Sequence, residues 1–142
     1  GAAPVRMLTF AEYNFIRAEA AVYGAAGDAQ TFYQAGIRAS LSAAGVSASA
    51  ADAYVAANGT LSGSDDEKIK KIIEEKYVAN YGVVLEPWTD YRRTGYPVLP
   101  LPLNAIGSST ARSLFFPQSE IDLNPNAPAQ KANIQARVWW DK

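Results

Sequence analysis

Thr9, Asp28 and Ser64 each stand just ahead of a proline-free run in which apolar residues recur every three or four positions. A side-chain oxygen at such a position accepts a backbone N–H of a helix's first turn, and the recurrence is that of a helix face. The pattern predicts helices over 9–26, 28–44 and 65–81, and so a mainly α fold with little or no sheet. Thr9 with Glu12, and Ser64 with Glu67, have capping-box spacing, the glutamate reaching back to its cap. Tyr13, Ile16, Ala20 and Tyr23 share one face of the first helix. Tyr33, Ile37 and Leu41 share one of the second, with Phe32 beside them. Ile69, Ile72, Ile73, Tyr77 and Tyr81 form the stripe of the third. Asp65, Asp66 and Glu67 sit at a helix start, where they read as partners of the helix dipole rather than as metal ligands.

The first two helices are separated only by "AAGD", so they form an antiparallel hairpin, with Gly24, Gly27 and Gly45 as stops. Ala20, Gly24, Ala29 and Gly36 are small where the helices would approach. With Tyr13, Ile16 and Tyr33 they follow a tetratricopeptide-like spacing, departing from it at Gly36 and Arg17. One such unit cannot bury its own face, so it needs neighbours, either other repeats or the rest of the chain. A further short helix is expected at about residues 48–57.

Thirteen basic and fourteen acidic side chains leave no electrostatic case for nucleic acid or for an acidic membrane surface. The chain contains neither histidine nor cysteine. That excludes a Cys/His zinc site, a thiolate nucleophile and a Ser-His-Asp triad, and no cofactor is expected.

Residues 86–97, "EPWTDYRRTGYP", gather aromatics, arginines and carboxylates. Pro87 suits a first helical turn and Gly95 the residue after a helix end, so a helix of about two turns is expected. Trp88, Tyr91 and Arg92 fall on one face, and Asp90 can pair with Arg93. Glu86 and Asp90, four apart, lie side by side, not opposed across a cleft as a glycosidase needs. "GYPVLPLPLN" must be extended. Beyond residue 100 long ordered loops are expected, with the tryptophan-bearing tail packed back on the helices.

Four blocks, "FAEYNFIRAEAAVYG", "IEEKYVANYGVVLEPWTDYRRTGYP", "RSLFFPQSEIDLNPNAP" and "VWWDK", resemble the C-terminal part of SusD/RagB-family proteins, above all the starch-binding, outer-membrane-associating SusD-like branch. The chain departs from that branch at Glu75-Lys76-Tyr77, where Gln-Lys-Trp is usual, and at Pro87. The resemblance implies a tetratricopeptide-like helical fold and a surface lipoprotein of the outer membrane. It also implies a non-catalytic glycan-capture subunit that partners a SusC-like TonB-dependent transporter and an oligo- or polysaccharide. Family members are longer and carry a lipid anchor, so the chain is expected to be one domain over 1–142, the C-terminal fragment of such a protein. Within it, a helical hairpin is expected at 1–45, further helices at 46–94, and extended loops with a tail at 95–142.

Trp88, Tyr91, Arg92, Arg93 and Tyr96 are the candidate ligand-binding residues. An indole or phenol face can stack on a pyranose while the arginines hydrogen-bond its hydroxyls. The competing expectation is a structural clasp, with Trp88 packed near Tyr77 and Tyr81 and an arginine holding a carboxylate such as Glu75. The alternative function is a tetratricopeptide-type interaction scaffold without sugar contact.

Overall fold

A computed structural model describes residues 5–83, 85–105 and 110–141. Among them are six α-helices and no strand: α1 (Phe10–Val22), α2 (Ala29–Ala43), α3 (Ala48–Asn58), α4 (Asp65–Ala79), α5 (Leu85–Thr94) and α6 (Gln118–Leu123). The mainly α class and the tetratricopeptide-like hairpin, α1 on α2, are as the sequence indicates. The described residues cluster in two compact units, one up to Asp90 and one from Tyr91 onward, dividing inside α5.

The caps act where the sequence puts them. Thr9 Oγ1 accepts from the Glu12 N–H at 3.0 Å, and an Asp28 carboxylate oxygen accepts from the Thr31 N–H at 2.8 Å. Ser64 and Glu67 complete a reciprocal capping box. The Asp28 carboxyl is held below its ordinary range first by the Thr31 hydroxyl and then by the Thr31 N–H. That of Glu67 is lowered by the Ser64 N–H and hydroxyl. A depressed carboxyl contributes stability above its unfolded pKa of about 4 and loses it as pH falls through the folded value. The melting temperature should therefore fall below about pH 4. Part of that acid limb should vanish in an Asp28→Asn/Glu67→Gln double variant, which keeps the capping chemistry but cannot titrate. An unchanged acid limb would rule the caps out as its source.

In the first unit, α1 packs on α2 and α4, and α2 packs on α3 and α4. The core is Ala11, Phe15, Ala18, Tyr33, Ile37, Val55 and Ile72. Gly36 leaves room for the Phe15 ring of α1: a Cβ there would lie 2.9 Å from it. Gln30 and Gln34 both donate to the Gly59 carbonyl, and Gln30 Oε1 accepts from the Leu61 N–H, fixing the turn before α4.

Several expectations are corrected here. The stripe of Tyr13, Ile16 and Tyr23 faces outward, because α1 buries its opposite side, Ala11, Phe15 and Ala18, together with Glu12, Asn14 and Glu19. Glu12 does not reach back to its cap but turns into the core. On α4 the isoleucines are buried as expected, but Lys76 continues the buried side and Asn80 follows it, while Tyr77 is half out and Tyr81 is 91% exposed. Gly24 has φ +94° with nothing near its would-be Cβ, so it serves a left-handed turn, not a close approach.

The second unit is held by side chain–backbone bonds. Gln130 bonds the Phe116 N–H at 3.0 Å and its carbonyl at 2.9 Å. The Arg112 and Ser113 N–H groups both donate to the Ile134 carbonyl. The short helix α6 interrupts a stretch read as loop. Of the tail tryptophans, Trp140 is half-buried while Trp139 is 95% exposed, so the expected packing of the tail is met only at Trp140.

Candidate functional site

Helix α5 forms as its sequence requires. Pro87 occupies its first turn, and Gly95, at φ +82°, ends it by donating its N–H to the Tyr91 carbonyl at 2.8 Å. Its aromatic and basic residues lie half-buried, whereas Asp90 is only 5% exposed.

In the first unit Asp90 belongs to a buried polar cluster. The Lys76 ammonium lies 2.9 Å from Asp90 Oδ2 and 3.7 Å from Glu12 Oε1. The Asn80 amide donates to Glu12 Oε1 at 3.1 Å. Withdrawing charges from water costs several kcal/mol each, so such a cluster persists only when the opposite charges meet. Ile16, Leu85, Glu86 and Thr89 border a shallow cleft of about 270 Å³ above it. Both carboxylates point at the ammonium, an arrangement that fastens α1, α4 and α5 to one another.

In the second unit the last turn of α5 is packed by arginines. The Arg92 guanidinium sits 4.5 Å over the Trp140 ring and donates to the Arg112 carbonyl at 3.3 Å. Arg112 in turn covers the Tyr91 ring at 4.8 Å and pairs with Asp141, whose side chain is fully buried. A planar guanidinium on an aromatic face is a stacking contact that lysine reproduces poorly.

All five candidate residues, Trp88, Tyr91, Arg92, Arg93 and Tyr96, are half-buried. Tyr91 and Arg92 are brought together with Arg112, Trp140 and Asp141. Tyr96 follows the helix and donates its N–H to Thr94 Oγ1 at 3.1 Å. Two expected clasp contacts are replaced: Tyr81 lies in water, and Glu75 accepts from the Tyr54 hydroxyl at 2.8 Å. That bond, followed by burial, raises the Tyr54 pKa to about 12. Sequence reasoning missed Lys76 and Asn80 because they sit within an apolar stripe, and Arg112 and Asp141 because they lie far apart in loops without periodicity. Among the described residues, no three acidic side chains gather as a metal site would need.

The sequence profile of a SusD-like family described as starch-binding and associating with the outer membrane matches residues 1–116. No curated protein matches the chain. Among solved structures, a Bacteroidetes SusD-like protein is 28% identical with a TM-score of 0.83 over 95% of this chain. A chitin-binding SusD homologue from Flavobacterium johnsoniae is 32% identical with a TM-score of 0.77 over 93%. A SusD homologue from Bacteroides fragilis is 35% identical with a TM-score of 0.70 over 80%. These overlaps take in 30%, 36% and 29% of the other chains, so this chain spans about a third of the length of the structures it matches.

Proposed function

We propose, since the chain belongs to the SusD-like family of starch-binding proteins that associate with the outer membrane, that it is the C-terminal part of a non-catalytic glycan-capture protein. The match over residues 1–116 carries this reading, and the chitin-binding relative from Flavobacterium johnsoniae supports a polysaccharide ligand. In this reading the full-length protein is a surface lipoprotein that delivers an oligo- or polysaccharide to a SusC-like TonB-dependent transporter.

Within it, residues 86–97 act mainly as scaffold. The support is local: Asp90 is committed to Lys76, Tyr91 lies under Arg112, and Arg92 lies on Trp140. The same commitment argues against a glycosidase. Asp90 faces an ammonium, not a partner carboxylate across a sugar-sized gap.

Calorimetric titration of the full-length protein with starch and chitin oligosaccharides tests the reading. Saturable binding of at least one, with no reducing sugar released, is the expected result. No binding to either would favour the tetratricopeptide-type interaction scaffold, and turnover would overturn the non-catalytic assignment.

A further inference from the structure

Where α1 begins and α2 and α4 end, the first unit carries a groove of about 330 Å³. Alanine creates it. Ala11 is buried and Ala39 and Ala79 are half-buried, and side chains that stop at Cβ leave a hollow between the three helices. Two aromatic residues stand at its rim: Phe10, 69% exposed, at the start of α1, and Tyr81, 91% exposed, just after α4. The Phe10 ring stacks on Tyr13 with centroids 6.1 Å apart, and the Tyr81 N–H donates to the Val78 carbonyl at 3.2 Å. Groups already held in place lower the ordering cost of binding.

The lining is chemically mixed. Among the described residues Arg6 is the one charged side chain there, so the groove suits neither a metal ion nor a polyanion. Ser40 adds a hydroxyl. The last carbonyls of a helix have no intrahelical partner, and Ala43 and Ala44 at the end of α2 and Ala79 at the end of α4 line the same groove. An apolar segment laid here would bury such acceptors unpaired, which is costly. A pyranose matches both parts of the lining. Its C–H face suits an aromatic ring, and its hydroxyls can donate to carbonyls and accept from a guanidinium. A small, partly apolar hollow with a few convergent polar groups is the usual form of a small-molecule site.

We infer that this groove is a pyranose-binding subsite, with Phe10 and Tyr81 supplying the stacking faces and Arg6, Ser40 and the helix-end carbonyls bonding the hydroxyls. This rests on the reading of the chain as part of a glycan-capture protein, and it puts a sugar contact away from residues 86–97. The chain contains no cysteine, so an introduced thiol reports on its own position.

In the full-length protein, with any cysteine outside this chain changed to serine, Ala43→Cys and Ala44→Cys are labelled with a maleimide while starch or chitin oligosaccharide is titrated in. Ala56→Cys, on the exposed side of α3, is the reference. One of the two sugars should slow labelling of both groove variants saturably, by about tenfold at ten times the dissociation constant, as mass action requires. The reference should not respond. Adding Tyr81→Ala should raise the half-protecting concentration by about five- to a hundredfold, the loss of one aromatic stacking contact, with the melting temperature unchanged. Adding Tyr23→Ala, an exposed tyrosine outside the groove, should not. Labelling unaffected by a sugar that calorimetry shows to bind would overturn the inference and leave the glycan-capture reading intact. Protection indifferent to Tyr81→Ala would overturn it too. So would slow labelling without sugar, since other parts of the polypeptide would then fill the groove. No sugar binding by calorimetry would overturn both. Two thiol positions are used so that a folding failure of one leaves the other to decide.

Discussion

Lys76→Met should lower the unfolding free energy by about 3–5 kcal/mol, the usual cost of removing one partner from a buried charge cluster. Lys76, Glu12 and Asp90 are each at most 5% exposed. The ammonium lies within 4 Å of both carboxylates. Methionine fills much of the lysine stem's volume, so the loss is of charge rather than of packing. Without the ammonium, Glu12 keeps the Asn80 amide but remains a buried carboxylate. Adding Glu12→Gln should recover part of the loss, and a double-mutant cycle should give a coupling on the order of 0.5–3 kcal/mol. Urea unfolding of the four proteins checks this. Strict additivity, or a cost for Lys76→Met below about 1 kcal/mol, would show that the cluster does not hold the helices together.

Phe15→Ala should cost a similar amount, about 3–5 kcal/mol, since the ring is wholly buried and its removal leaves a cavity. The ring meets Tyr33 edge-on at 6.1 Å and lies against Gly36. A methyl group at Gly36 would collide with it, so Gly36→Ala should destabilise by about 1–3 kcal/mol despite alanine's better helix propensity. The collision is specific to the ring. In a Phe15→Leu background the Gly36→Ala cost should shrink or change sign. An equal cost in both backgrounds would mean that Gly36 is required by something other than Phe15.

The same two sites show what the sequence could and could not reveal. Capping residues act through their own first turn, so Thr9, Asp28 and Ser64 located the helix starts directly. Gly36 fell at a small-residue position of a recognisable hairpin, so its close approach was legible too. Orientation was not. Both sides of α1 carry large apolar residues, and the buried one also carries Glu12 and Glu19, so hydrophobicity alone chose the wrong side. A buried lysine within the isoleucine stripe of α4 reads as an ordinary solvated charge until Glu12, 64 positions earlier in the numbering, and Asp90 meet it. A helix within residues 86–97 was legible, because proline suits its first turn and glycine the residue after its end. Of its partners the tail tryptophan was expected, but Arg112 and Asp141 were not, because they come from loops that repeat nothing.

The scaffold role of residues 86–97 within a glycan-capture protein is tested most directly by Trp88→Ala in the full-length protein, measuring thermal stability and oligosaccharide affinity on the same sample. Trp88 is half-buried, so truncation should cost about 2 kcal/mol, roughly half the loss at a fully buried tryptophan. The molecules that remain folded should bind starch or chitin oligosaccharides with wild-type affinity. A variant whose stability stays within about 0.5 kcal/mol of wild type, while its affinity falls by about 1–3 kcal/mol as when an aromatic stacking partner is removed, would contradict this and make Trp88 part of the sugar site.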